Sequence, residues 1–132
     1  MKITADTNVL LCAVVADDEA QSAKAVEALE TAEMVAVGLQ ALCEFVSVLD
    51  RRYGVSRADI AAAIRRLMET GNVVINRPAV EAGLAALEAG GDFADGVIAY
   101  EGEWAGADTF VAFDRRAVSI LAAPGRRARL LA

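Results

Sequence analysis

Two aspartates stand directly after predicted strands of the chain. Asp6 follows the short strand predicted over Lys2–Ala5, and Asp114 follows the strand-forming run Thr109–Phe113. In an open parallel sheet, ligands bind in the crevice outside the carboxyl ends of the strands. The two carboxylates are therefore candidates for one shared site.

Two further acids stand beside apolar residues on predicted helices. Glu44 interrupts the helix predicted over Gln40–Tyr53, on or beside the apolar face that carries Leu42 and Phe45. Asp95 stands at the start of a later helix and is followed by apolar residues. Helix capping does not account for a glutamate within an apolar stripe, so the four acids together indicate a site.

A site built from four carboxylates requires a cation. Two carboxylates about 4 Å apart repel each other by about 1 kcal/mol in water and by about 4 kcal/mol at an effective dielectric constant of about 20. A divalent ion cancels this repulsion, and an all-oxygen ligand set indicates Mg²⁺ or Mn²⁺. The sequence has no histidine, which excludes serine–histidine and cysteine–histidine catalysis.

Each acid also has a plain structural interpretation. Asp6, Asp95 and Asp114 could cap helices, a role worth roughly 1 kcal/mol each. Glu44 could pair with Arg51–Arg52, away from the buried face of its helix. Taken singly, these interpretations are as good as a functional one; taken together, they explain less.

The composition predicts one globular domain over residues 1–132. Of the 132 residues, 56% are hydrophobic, which suffices for a core without a metal or a disulfide. Thirteen basic against nineteen acidic residues give a net charge of −6, so any nucleic acid must be held by local arginines or bridging cations.

Cys12 and Cys43 lie in apolar runs and are expected to be free thiols. The apolar run Val9–Ala16 is too short for a membrane span and has acidic flanks, so we expect a cytoplasmic protein.

Strands and helices alternate along the sequence, which predicts parallel strand pairing and a sheet covered on both faces. We expect an α/β protein, a three-layer α/β/α sandwich with a central, mostly parallel sheet of four to five strands. The predicted strands are Lys2–Ala5, Met34–Val37, Asn72–Ile75, Thr109–Phe113 and Ala128–Leu131. The predicted helices are Thr7–Val15, one capped by Asp17 or Asp18 that runs to about Thr31, Gln40–Tyr53, one from Ser56 to near Gly71, one from Pro78 to Gly90 and Asp114–Leu121. We expect Asp92–Gly106 to be a loop entering a helix, and Pro124-Gly125 to be a turn.

The acids fall within an ordered set of short motifs. The set comprises strand one followed by Asp6-Thr7-Asn8, the helical Glu44, Asp92-Phe93-Ala94-Asp95 and Phe113-Asp114-Arg115. In order, spacing and chain length this set resembles the PIN-domain ribonucleases, and more narrowly the VapC-type toxins of bacterial toxin–antitoxin pairs. The resemblance covers nearly the whole chain.

The resemblance implies roles for individual residues. The catalytic, metal-binding acids would be Asp6, Glu44, Asp95 and Asp114. Asn8 would be a polar residue supporting them, and Asp92 an auxiliary acid or a cap. Such toxins often carry Thr or Ser two residues before the last Asp, where this chain has Ala112. The missing hydroxyl bears on how the last acid is oriented and on the catalytic rate.

The implied reaction is hydrolysis of RNA. One or two Mg²⁺ ions would bind the scissile phosphate and lower the pKa of the attacking water, so no side-chain nucleophile is needed. Arg115 would contact the substrate, and Arg51–Arg52 or Arg65–Arg66 could do so or could form solvated helix faces. Three aromatic residues could stack on unpaired bases or serve in a core or an interface: Tyr53, Tyr100 and Trp104.

The resemblance also implies partners: an RNA substrate, a small antitoxin in an apolar groove, and a second copy in a homodimer. The apolar content of the helices from 40 to 70 gives this expectation its support in the sequence.

A receiver domain is disfavoured because Lys2 and Lys24 are the only lysines, and an aspartyl phosphatase because the motif is Asp6-Thr7-Asn8, not Asp-x-Asp. The remaining alternative is a PIN-like domain that binds RNA or protein without cleaving.

Overall fold

The computed structural model describes residues 1–122 and 125–132, in which strands alternate with helices. The chain divides into a first unit, Met1–Asn76, and a second unit, Arg77–Ala132. The predicted α/β class is confirmed. The turn expected at Pro124-Gly125 involves a proline outside the described residues, and the single domain over residues 1–132 stays a prediction.

The first unit contains a parallel sheet with helical crossovers. Its elements are β1 (Lys2–Thr4), α1 (Thr7–Val14), α2 (Glu19–Thr31), β2 (Met34–Ala36), α3 (Leu39–Arg51), α4 (Arg57–Glu69) and β3 (Val73–Val74). The strands pair in the order β1-β2-β3, with Ile3 opposite Val35 and Val35 opposite Val73. Val35 on the central strand is fully buried, as expected for a strand with neighbours on both edges.

Local signals in the sequence explain where the helices of this unit begin. The Asp18 carboxylate accepts a hydrogen bond from the Gln21 amide, and the Ser56 hydroxyl from the Asp59 amide, both at 3.1 Å. Each bond satisfies one of the backbone donors that a helix leaves unpaired at its start. On α3 an apolar stripe faces the core through Leu42, Phe45, Val46 and Leu49. Neither Cys12 nor Cys43 forms a disulfide in the described part of the chain.

The second unit contains two parallel strands and three helices among its described residues. Its elements are α5 (Arg77–Glu88), α6 (Phe93–Trp104), β4 (Thr109–Ala112), α7 (Arg115–Ala122) and β5 (Arg127–Leu130). β4 pairs with β5 in parallel, with Thr109 opposite Arg127 and Ala112 opposite Leu130. The described strands thus pair as three and two, so parallel pairing is confirmed and a single sheet of four to five strands is not.

Helix α6 begins earlier than the sequence predicted. The expected loop at Asp92 is a helix cap, in which the Asp92 carboxylate accepts from the Ala94 amide at 3.1 Å, and the helix starts at Phe93. Two glycines permit close packing of α6 against α5: a Cβ on Gly83 would lie 2.6 Å from the Phe93 ring, and one on Gly96 would lie 2.4 Å from the Ala82 carbonyl oxygen. Glycine disfavours a helix by about 1 kcal/mol relative to alanine, and tertiary packing overrides that preference here.

Candidate active site

Asp6 lies at the carboxyl end of β1, where the sequence placed it. The Ala5 amide before it still donates to the Ala36 carbonyl at 3.0 Å, so the strand pairing continues almost to the aspartate. The side chain of Asp6 caps α1, because its Oδ1 accepts from the Val9 amide at 3.0 Å. The capping interpretation is therefore correct for Asp6. Its carboxylate is fixed at the start of a helix, where the helix dipole favours negative charge.

Glu44 is exposed on α3, beside the buried stripe and not within it. Its Oε2 accepts a hydrogen bond of 2.9 Å from the hydroxyl of Thr7 on α1. The same hydroxyl lies 3.3 Å from the carbonyl oxygen of Ala41. The first turn of α1 is thus linked to the acid on α3. The sequence pattern marked the Asp6-Thr7-Asn8 triplet but gave no signal for this contact.

A groove of about 590 Å³ lies among α1, α2 and α3 of the first unit. Its lining includes Asp6 and the exposed Asn8, as well as Arg52 and Tyr53. The Tyr53 hydroxyl donates to the Asp17 carboxylate at 2.7 Å, and this hydrogen bond raises the pKa of Tyr53. The guanidinium carbon of Arg52 lies 5.6 Å from the centre of the Tyr53 ring, within the range of a cation–π contact. The ring is therefore held between an acid and a base.

In the second unit, Asp114 follows β4 and is separated from it by Phe113. Its Oδ1 accepts from the amides of Arg116 at 2.8 Å and Ala117 at 3.2 Å, and it therefore caps α7. The capping interpretation holds for Asp114 as it does for Asp6. Arg115 is exposed as the first residue of α7.

Of the three aspartates that could cap helices, Asp95 is the one that does not. Asp92 caps α6, and Asp95 lies half-buried in the first turn of that helix. Burial raises the pKa of Asp95, and the negative charges of Asp92 and Asp114 raise it further. Both effects disfavour the ionised carboxylate in the protein without a cation. The sequence did not indicate this burial.

The donor chemistry of both units suits a hard divalent cation. Within either unit, no group of three or more Cys, Asp and Glu side chains is arranged to hold a metal ion among the described residues. The site acids are all oxygen donors, and Mg²⁺ is usually held by one or two carboxylates while water and phosphate oxygens complete its shell. The residues therefore fit Mg²⁺ or Mn²⁺ better than a metal that prefers sulfur or nitrogen.

The side chains considered for RNA contact lie mainly at the surface. The arginine pairs Arg51–Arg52 and Arg65–Arg66 are exposed, which suits both a substrate contact and a solvated helix face. Trp104 at the end of α6 is 81% exposed, whereas Tyr100 is half-buried. The surplus of apolar surface expected on the helices from 40 to 70 is absent from that fully described segment, because its large apolar side chains are at least partly buried.

A comparison with solved structures finds a toxin. The chain is similar to the crystal structure of Mycobacterium tuberculosis VapC20, described as a sarcin-ricin loop cleaving toxin, at 25% sequence identity and a TM-score of 0.44. The likeness covers 95% of this chain and 96% of that one. No protein-family model and no curated protein matches the sequence. Separately, the described part of the chain contains no helix long and apolar enough to span a membrane.

Proposed function

We propose that the protein is a metal-dependent endoribonuclease that uses Asp6, Glu44, Asp95 and Asp114 to bind Mg²⁺ or Mn²⁺. The observation that carries this proposal is the position of Asp95, half-buried beside the charges of Asp92 and Asp114. A carboxylate whose pKa is raised by burial and by like charge, without a capping role, is typical of a functional site. A bound divalent cation would remove the repulsion that these acids otherwise maintain.

Each residue of the proposed site has a stated task. When bound, the metal would supply Lewis-acid activation of water and neutralise charge on the phosphate. Asp6 and Asp114, held by the helix starts that they cap, are ligands with a fixed orientation. Asp95 must lose its proton before it can act as a ligand, which links metal affinity to pH. Arg115, exposed next to Asp114, would contact a phosphate of the RNA.

The biological setting is proposed on the resemblance of the motifs. In that setting the chain is a single nuclease domain over residues 1–132, the cytoplasmic toxin of a toxin–antitoxin pair, and it forms a homodimer and binds a small antitoxin. Trp104 and Phe113 are 81% and 80% exposed, and large exposed apolar side chains often mark protein interfaces. These two residues, and not the helices from 40 to 70, supply the apolar surface in support of a partner.

Cleavage of RNA by the purified protein tests the proposal. We expect cleavage with Mg²⁺ or Mn²⁺ and none in excess EDTA. Asp95→Asn should lose at least about 100-fold in rate, since losing even a residue that supports a metal ligand costs about 10- to 100-fold. Glu101→Gln on the same helix, which also removes one exposed negative charge, is the matched control and should cleave like the wild type.

The outcomes separate the possible failures. Full activity in EDTA would refute the metal mechanism, and full activity of Asp95→Asn would refute the site. A wild-type protein that binds RNA but cleaves no RNA in any metal would favour the non-catalytic PIN-like domain instead.

A further inference from the structure

The hydroxyl of Thr7 bonds one of the proposed metal ligands, Glu44. Thr7 directly follows Asp6 in the chain, and its Oγ1 donates to Glu44 Oε2 at 2.9 Å. A hydrogen bond to a carboxylate is shorter and roughly twice as strong as one between neutral groups. The longer 3.3 Å approach to the Ala41 carbonyl places the hydroxyl over the backbone of α3, on the turn that precedes Glu44. The start of α1 therefore brings a proposed ligand, the capping Asp6, next in sequence to the donor that bonds a second proposed ligand.

Glu44 needs such a partner if it is to act as a ligand. It is exposed on α3, and a free glutamate side chain at a surface loses rotamer entropy when it is fixed. A metal ligand that is already oriented avoids most of that cost at the moment of binding. Thr7 itself is half-buried and β-branched, so its own side chain has few conformations to choose from.

We propose that Thr7 is a positioning residue, whose hydroxyl orients the carboxylate of Glu44 for metal binding at the site that begins with Asp6. The inference rests on the proposed function, since it assigns Thr7 a task only if Glu44 is a ligand. It goes beyond the four acids by naming a neutral residue that acts through one of them. A hydroxyl that merely tied α1 to α3 would affect stability and leave metal affinity unchanged.

Direct Mn²⁺ titration of the full chain tests this inference without relying on activity, with free Mn²⁺ followed by electron paramagnetic resonance. Thr7→Val keeps the branched shape and removes the hydroxyl, and it should weaken Mn²⁺ binding about tenfold, the lower end of the loss seen when a supporting partner of a ligand is removed. Thr7→Ser keeps the donor and should bind within about threefold of the wild type, because only a methyl group is lost. Thr31→Val is the matched control, since the Thr31 hydroxyl bonds the Glu27 carbonyl of its own helix α2, and it should not change the affinity.

A double-mutant cycle shows whether Thr7 acts through Glu44. In a Glu44→Ala background, Thr7→Val should cause no further loss, because the two residues then form one interacting pair whose effects are not additive. A further loss in that background would overturn the inference. Should Thr7→Val lack a cooperative melt, Thr7→Ala replaces it as the variant without a hydroxyl.

The same titration distinguishes failure of the inference from failure of the proposed function. Wild-type affinity in the folded Thr7→Val protein, together with lost binding in Asp6→Asn, would overturn the role of Thr7 and leave the metal site intact. Absence of Mn²⁺ binding in the wild type would overturn both. Weakened binding in Thr7→Val alone, rescued in Thr7→Ser, is the expected result.

Discussion

Replacing Gly96 by alanine tests the packing that holds Asp95 in place. Gly96 follows Asp95 on α6, and a Cβ there would lie 2.4 Å from the Ala82 carbonyl oxygen and 2.9 Å from the Ala86 Cβ of α5. Carbon contacts are most favourable at about 3.5 to 4.0 Å, so α6 would have to move away from α5 by about 1 Å. Overpacking of this kind typically costs about 1 to 3 kcal/mol. The gain in helix propensity from glycine to alanine returns about 1 kcal/mol.

The net effect of Gly96→Ala is therefore a loss of up to about 2 kcal/mol in the free energy of unfolding, towards the upper end because a backbone carbonyl cannot rotate away. Gly102→Ala on the same helix is the matched control. Its Cβ would meet only the Ala107 Cβ, at 3.9 Å, so it should keep the propensity gain and stabilise the protein by up to about 1 kcal/mol. The two variants should thus differ by about 2 to 3 kcal/mol.

Urea unfolding followed by far-ultraviolet circular dichroism measures the free energy of unfolding of both variants. Equal slopes of this free energy against urea concentration show that the two transitions are comparable. A Gly96→Ala protein as stable as Gly102→Ala would refute the close approach of α5 and α6. Loss of stability in both variants would show instead that α6 does not tolerate a methyl group on either face.

Three further predictions concern the acids. The raised pKa of Asp95 means that its contribution to stability is fully present below its usual pKa near 3.8 and is lost as pH rises through the raised value. In urea unfolding, the free energy of unfolding of Asp95→Asn should therefore exceed that of the wild type by an amount that grows from pH 4 to pH 7. A difference in free energy that does not change with pH would contradict the raised pKa. Asp6→Asn should abolish cleavage yet keep the melting temperature, because asparagine also caps helices, whereas Asp6→Ala should also lose about 1 kcal/mol of stability; marked unfolding of Asp6→Asn would point to a purely structural aspartate. Cleavage assays across metals should show activity with Mg²⁺ or Mn²⁺, poor activity with Ca²⁺ because of its looser coordination shell, and a decline in acid; equal rates with Ca²⁺ would speak against the proposed ligand geometry.

The sequence by itself determined the order of the helices and strands and the strand ends that Asp6 and Asp114 follow. Apolar periodicity and capping residues such as Asp18 and Ser56 act within a few residues, so the helix starts that they predict agree with the structure. The positions of Asp6 and Asp114 after their strands follow from the same local signals.

Tertiary packing decided the features that depend on residues far apart in the chain. The two glycines on α5 and α6 disfavour helix locally, and the close contacts between these helices explain why α6 continues through Gly96 after its start at the Asp92 cap. The pairing of the strands as three and two depends on backbone hydrogen bonds between distant segments, which no local pattern specifies. The contact of Thr7 with Glu44 likewise arises between elements. The sequence therefore identified which acids could form a site, while their environments, set by long-range packing, had to be read from the tertiary structure.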